Sequence, residues 1–139
     1  MAVWLYQMTS NADEPWGPNE YRLEVWEGSP VTWPVGKIVS KGKQKVTRGD
    51  IIVFFFAKQG NREPGIYGWG IILEVVESKT RHRVKFQVCP PSDYHKIAVI
   101  WDPELAALID KIRGGMAQAT MWPMIGEEFE LIKRKFAFK

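Results

Sequence analysis

The sequence predicts an α+β domain, a small, strongly curved, barrel-like sheet with helices at its periphery. Three observations predict it. Runs rich in Val, Ile, Phe and Trp fill the first 90 residues, helical periodicity enters only after residue 101, and the longest strand-like run carries glycines at 68 and 70. Glycines inside a strand mark a bulge, a barrel bend, or a close approach by a ligand or another backbone. At 139 residues the chain has the size of one domain, large enough to bury a core. No linker, repeat or low-complexity segment divides it, so residues 1–139 are read as a single unit.

The elements follow in order. Val3 to Met8 is rich in Trp, Leu, Tyr and Val and reads as a buried strand. Residues 9–19 are turn formers, a loop of about ten residues, and loops that long in a compact domain are more often functional than filler. Tyr21 to Trp26 fits a strand or a short helix equally well. The Pro/Gly-rich stretch Gly28 to Gly36 reads as a second loop. Ile51 to Phe56 is the clearest strand, introduced by the turn Arg48-Gly49-Asp50, and Ile66 to Val76 is a second long one. Arg83 to Val88 alternates Val84, Phe86 and Val88 with Arg83, Lys85 and Gln87. Asp102-Pro103-Glu104 is an orderly helix start, a carboxylate cap followed by proline and an acid. Leu105, Leu108, Ile109 and Ile112 form its apolar stripe and Gly114-Gly115 stops it. A second short helix spans roughly Gly126 to Lys133.

Composition excludes several classes. With 45% hydrophobic and 25% charged residues the chain is not a disordered one. Its longest apolar run, Ile51 to Ala57, is far short of the roughly 20 residues a spanning helix needs, so no membrane partner is expected. The segment Met1 to Tyr6 has neither a basic region nor a small-residue cleavage site and does not read as a signal peptide. The single cysteine, Cys89, allows no internal disulfide and reads as a small core hydrophobe. His82 and His95 are the only histidines and read as solvent-facing, which argues against a structural zinc site. No metal and no cofactor are expected, and a reducing cytoplasm fits this usage.

Charge is segregated. The first 36 residues hold Asp13, Glu14, Glu20, Glu24 and Glu27 against Arg22 alone, whereas residues 37–48 hold Lys37, Lys41, Lys43, Lys45 and Arg48 with no acid. Lys79, Arg81, Arg83 and Lys85 form a second basic cluster, and Lys133, Arg134, Lys135 and Lys139 a third. Clustering of this kind is the footprint of phosphate contact, although any one charge run also suits a solvated loop. Seven tryptophans are an excess, and an indole suits a flat apolar surface with a polar edge. Trp16 and Trp33 fall in the Pro/Gly-rich segments and Trp69 lies between two glycines, while Trp4, Trp26, Trp101 and Trp122 read as core or core edge. There is no phosphate loop, no Gly-x-Ser-x-Gly elbow and no histidine pair at helical spacing. A binding module is expected rather than an enzyme.

The series Trp33-Pro-Val-Gly36, the basic stretch, Thr47-Arg-Gly-Asp50, the strand Ile51 to Phe56 and Gly65-Ile-Tyr-Gly-Trp-Gly70 resembles the EVE domain, a PUA-like barrel akin to the YTH readers of methylated adenine. Trp4-Leu5-Tyr6 and Thr120-Met-Trp-Pro-Met-Ile125 extend the likeness over nearly the whole chain, but residues 11–30 are longer and more acidic than the family pattern. The resemblance implies a reader of a modified base, of methylated-cytosine or methylated-adenine type, in DNA or in RNA, which flips the base into an aromatic pocket. A separate effector such as a nuclease would then act on what the reader binds. By matching position Trp33 and Trp69 are the stacking walls, with Trp16 in reserve. Ser10 and Asn11 are candidates for reading the base edge, and Val35 and Gly36 offer backbone beside it. Lys37, Lys41, Lys43, Lys45 and Arg48 are candidates for the phosphates, with Arg81 and Arg83 behind them. Two alternatives stand beside this one. The first is an RNA-binding PUA-like module with no selectivity for modification. The second is a small ASCH-type amidohydrolase built on Lys37, Ser40 and Glu74.

Overall fold

The structure, a computed structural model, describes residues 2–8, 31–35, 45–57, 64–76, 82–89, 101–115 and 119–137. Six strands, β1 (Val3–Met8), β2 (Val31–Val35), β3 (Ile51–Phe56), β4 (Gly65–Val76), β5 (His82–Cys89) and β6 (Met121–Met124), and two helices, α1 (Pro103–Arg113) and α2 (Gly126–Ala137), make a mixed α+β architecture. The strands form one sheet in the order β2-β5-β4-β3-β1-β6. β1 runs parallel to β3, and the other ladders are antiparallel. Among the described residues β2 and β6 are the outer strands of the sheet, and no ladder joins them. Each outer strand carries a proline, Pro34 in β2 and Pro123 in β6. A missing N–H is tolerated at a sheet edge because no neighbour there needs it.

Those prolines also account for two corrections. Gly28 to Gly36 is not all loop, since Val31–Val35 is β2. The short segment Met121–Met124, which the sequence did not present as a strand, pairs with β1. The second helix is longer than its pattern suggested and runs to Ala137.

β3 reads Ile-Ile-Val-Phe-Phe-Phe without alternation because both faces of the sheet are covered. Val3, Leu5, Val53 and Phe55 join Leu105 and Ile109 of α1 and Phe129 and Ile132 of α2 in one cluster. The alternate positions Trp4, Tyr6, Ile52, Phe54 and Ile72 are buried as well, and successive strand residues point to opposite faces. Of the three readings open for the glycines of β4, the register shows a bulge. The register of β3 on β4 slips between Phe54 and Phe55, which pair with Gly68 and Ile66. Gly68 has φ 141°, a backbone that L side chains rarely adopt, so the bulge requires glycine there.

The helix ends are built from side chains. Asp102 Oδ1 accepts from Leu105 N–H at 2.8 Å, and the Gly114 N–H (φ 55°) returns to Asp110 O. Glu128 Oε1 accepts from Ile125 N–H at 2.8 Å, the back-bonding half of a capping box. Lys135 near the end of α2 reaches both Asp102 at 2.6 Å and Glu104 at 2.7 Å, which ties the start of α1 to the finish of α2.

Candidate nucleic-acid interface

Because β1 and β3 are parallel, the sheet has two chemically different ends. β1 and β3 begin at the Asp50 end, and they finish at the Gln7 end, where β4 and β6 begin.

At the Asp50 end the buried Asp50 carboxylate gathers three donors. They are Ala2 N–H at 3.1 Å on Oδ1, with the Trp4 indole at 3.0 Å and Thr47 N–H at 2.9 Å on Oδ2. Gly49 takes φ 91° in the same turn, and Gly49 and Asp50 exchange backbone bonds with Ile72 of β4. Thr47-Arg-Gly-Asp50 is thus the clasp that ties the starts of β1 and β3 to Ile72, in the second half of β4. The clasp leaves Lys45 and Arg48 exposed.

At the Gln7 end the last turn of α1 comes down on the sheet. Arg113 Nη1 donates to Gln7 Oε1 at 3.1 Å and its Nη2 to Asp110 Oδ1 at 3.4 Å. The guanidinium lies 5.4 Å from the ring centre of Phe55, a cation–π distance. Phe55 in turn stacks with the half-buried Trp101 at 5.7 Å between centroids and 24° between planes. The Arg113 Nε is buried and has no hydrogen-bond partner among the described residues.

The sequence candidates divide between these ends. Lys45 and Arg48 sit at the Asp50 end. So do the backbone positions of Val35 and Arg83, paired through His82 and Val76. Trp33 is not in a loop. It pairs with Val84 of β5, which pairs with Val75 of β4. Trp69 pairs with Val53 and Cys89 near mid-strand. The register therefore sets Trp33 and Trp69 six residues apart along β4 and two strands apart across it, about 20 Å along the strand direction. They are not sheet neighbours, and Trp69 is half-buried with its ring edge-on to Phe129 at 5.5 Å. Glu74 is exposed on β4. Ser10, Asn11, Trp16, Gly36, Lys37, Ser40, Lys41, Lys43 and Arg81 lie outside the described residues.

Sequence reasoning missed the Gln7, Phe55, Trp101 and Arg113 group. Gln7 is the one polar residue of β1, which was the available signal. Its partner is 106 residues away, and nothing in the local pattern announces that pairing. Elsewhere, Asp102 is held below the ordinary carboxylate value, first by the Lys135 hydrogen bond and next by Leu105 N–H. Lys135 is raised, first by Asp102 and then by Glu104.

Solved structures share this architecture over the whole chain. The human THYN1 protein, in complex with 5-methylcytosine-containing DNA, aligns with TM-score 0.61 and 14% identity over 98% of both chains. A Pseudomonas putida protein aligns with TM-score 0.62 and 14% identity over 97% of this chain and 99% of its own. The fold is EVE/PUA-like. The DUF55 domain of human thymocyte nuclear protein 1 shares it, with TM-score 0.60 and 13% identity over 99% of each chain. No protein-family model and no curated protein matches the sequence. A chain of this fold whose two ends differ this much presents a cationic turn at one end and, at the other, the half-buried Trp101 beside Gln7 and Arg113.

Proposed function

We propose that this chain is a nucleic-acid-binding module that takes one modified base, of methylated-cytosine or methylated-adenine type, into a pocket at the Gln7 end, and that it carries out no chemistry on it. The observation that carries this reading is the full-length likeness to a protein solved on 5-methylcytosine-containing DNA. Supporting it, the half-buried Trp101, backed by the buried Phe55, lies beside hydrogen-bonding groups at that end. A flipped base needs both stacking faces and polar edge readers. Stacking contributes on the order of 1–3 kcal/mol per base and offsets the few kcal/mol that flipping costs. One buried methyl adds only about 0.8 kcal/mol, roughly fourfold in affinity, so a true reader gains further discrimination from the shape of its pocket.

The test is a binding panel of matched DNA and RNA strands with and without 5-methylcytosine or N6-methyladenine, followed by tryptophan fluorescence. A preference above about fourfold for one modified strand is the expected outcome. Equal binding across the panel, with log affinity falling steeply against log salt, would replace the reader with a non-selective module. The exposed Lys45 and Arg48 favour that second reading.

A further inference from the structure

Resting on that reading, the geometry points to Gln7 and Arg113 as a donor-only corner of the site that grips an oxygen acceptor of the bound nucleotide. The acceptor is a base carbonyl or a phosphate oxygen. Gln7 closes β1 and is half-buried. Its amide oxygen is occupied by Arg113 Nη1 at 3.1 Å, so the amide is turned with its NH2 away from the guanidinium. An arginine has five N–H donors and no acceptor. Two of them are used, one on Gln7 and one at 3.4 Å on an Asp110 carboxylate that is itself 77% exposed. What the pair presents is therefore the Gln7 NH2 and the remaining Nη N–H groups of Arg113, all of them donors beside a positive charge, while Nε is buried.

A purely structural tie between helix and strand would satisfy these groups internally. Here the guanidinium lies over the Phe55 ring at 5.4 Å, its side chain is only 21% exposed, and Nε has no partner among the described residues. A half-buried cation with spare, fixed donors is the arrangement that recognises oxygen acceptors in nucleic acids. The half-buried Trp101, stacked on the buried Phe55, stands beside it.

Gln7→Glu separates the two roles. It is nearly isosteric, pairs more strongly with Arg113, and so keeps or raises stability, but it removes the amide donors and cancels the charge. Titrations with a 5-methylcytosine oligonucleotide and with the same strand carrying an abasic site at that position are the measurement. Gln7→Glu should weaken binding at least about tenfold while the denaturant midpoint holds. If the acceptor is on the base, the loss is confined to the base-containing strand. If it is a phosphate, both strands lose alike and the slope of log affinity on log salt falls by about one. Unchanged affinity in a folded Gln7→Glu protein overturns the corner alone. A wild-type protein that binds neither strand overturns the reader and the corner together.

Discussion

The Asp50 carboxyl group is buried, and its three bonds explain how that is tolerated. Each carboxylate oxygen meets backbone or indole N–H, so its lone pairs are used and the Trp4 N–H, itself buried, finds its acceptor. An amide of the same shape would turn an NH2 toward either Ala2 N–H or the Trp4 and Thr47 donors. Asp50→Asn is therefore expected to cost about 1–3 kcal/mol, the desolvation penalty of unmatched polar groups. Urea denaturation followed by tryptophan fluorescence reads this directly, and a variant as stable as the parent would show that the clasp is dispensable. The Thr-Arg-Gly-Asp turn was legible as a turn from its residues. That its carboxylate reaches back to Trp4, 46 positions earlier, was not.

At the scale of elements, the two helices are joined through Lys135, Asp102 and Glu104, and the bond carries a pH signature. Asp102 is depressed in the folded state, so its contribution is complete above the ordinary carboxylate value and fades as pH falls through the folded value. Lys135 is raised, so its contribution is complete below the ordinary ammonium value and fades as pH climbs through the raised one. Lys135→Met is expected to flatten both the acid and the alkaline limb of a plot of denaturant midpoint against pH. Limbs identical to those of the parent would mean that the pair contributes nothing net, as exposed ion pairs often do. The helix α1 was readable to the residue from its cap and stripe. β2 was not, because Pro34 and Gly36 mark a loop in isolation, and only an edge position with β5 beside it makes a strand of Val31–Val35.

Across the whole molecule the parallel pairing of β1 with β3 separates what composition had grouped. The six residues of β1 span about 17 Å, close to five nucleotides along one strand at about 3.4 Å each. On the proposed reading, Lys45 and Arg48 would engage phosphates remote from a base held at the Gln7 end. A Lys45→Gln, Arg48→Gln double variant is expected to lower the slope of log affinity on log salt by about two and to leave the preference for a modified base unchanged. Salt titrations on modified and unmodified strands measure both at once. A change in preference without a change in slope would place these cations in the pocket instead.

The sequence alone determined the α+β class, β1, β3, β4, β5 and both helices, an irregularity of β4 at its glycines, and the burial of Trp4 and Trp122. These are local properties, carried by propensity, periodicity, caps and the φ of one glycine. Tertiary structure decided which ends of the strands meet. That decision moved Trp33 onto an outer strand away from Trp69, and put the cationic turn opposite the end of β1. It also brought Gln7 under Arg113. Strand order and parallel register depend on contacts between residues tens of positions apart, and no local pattern records them.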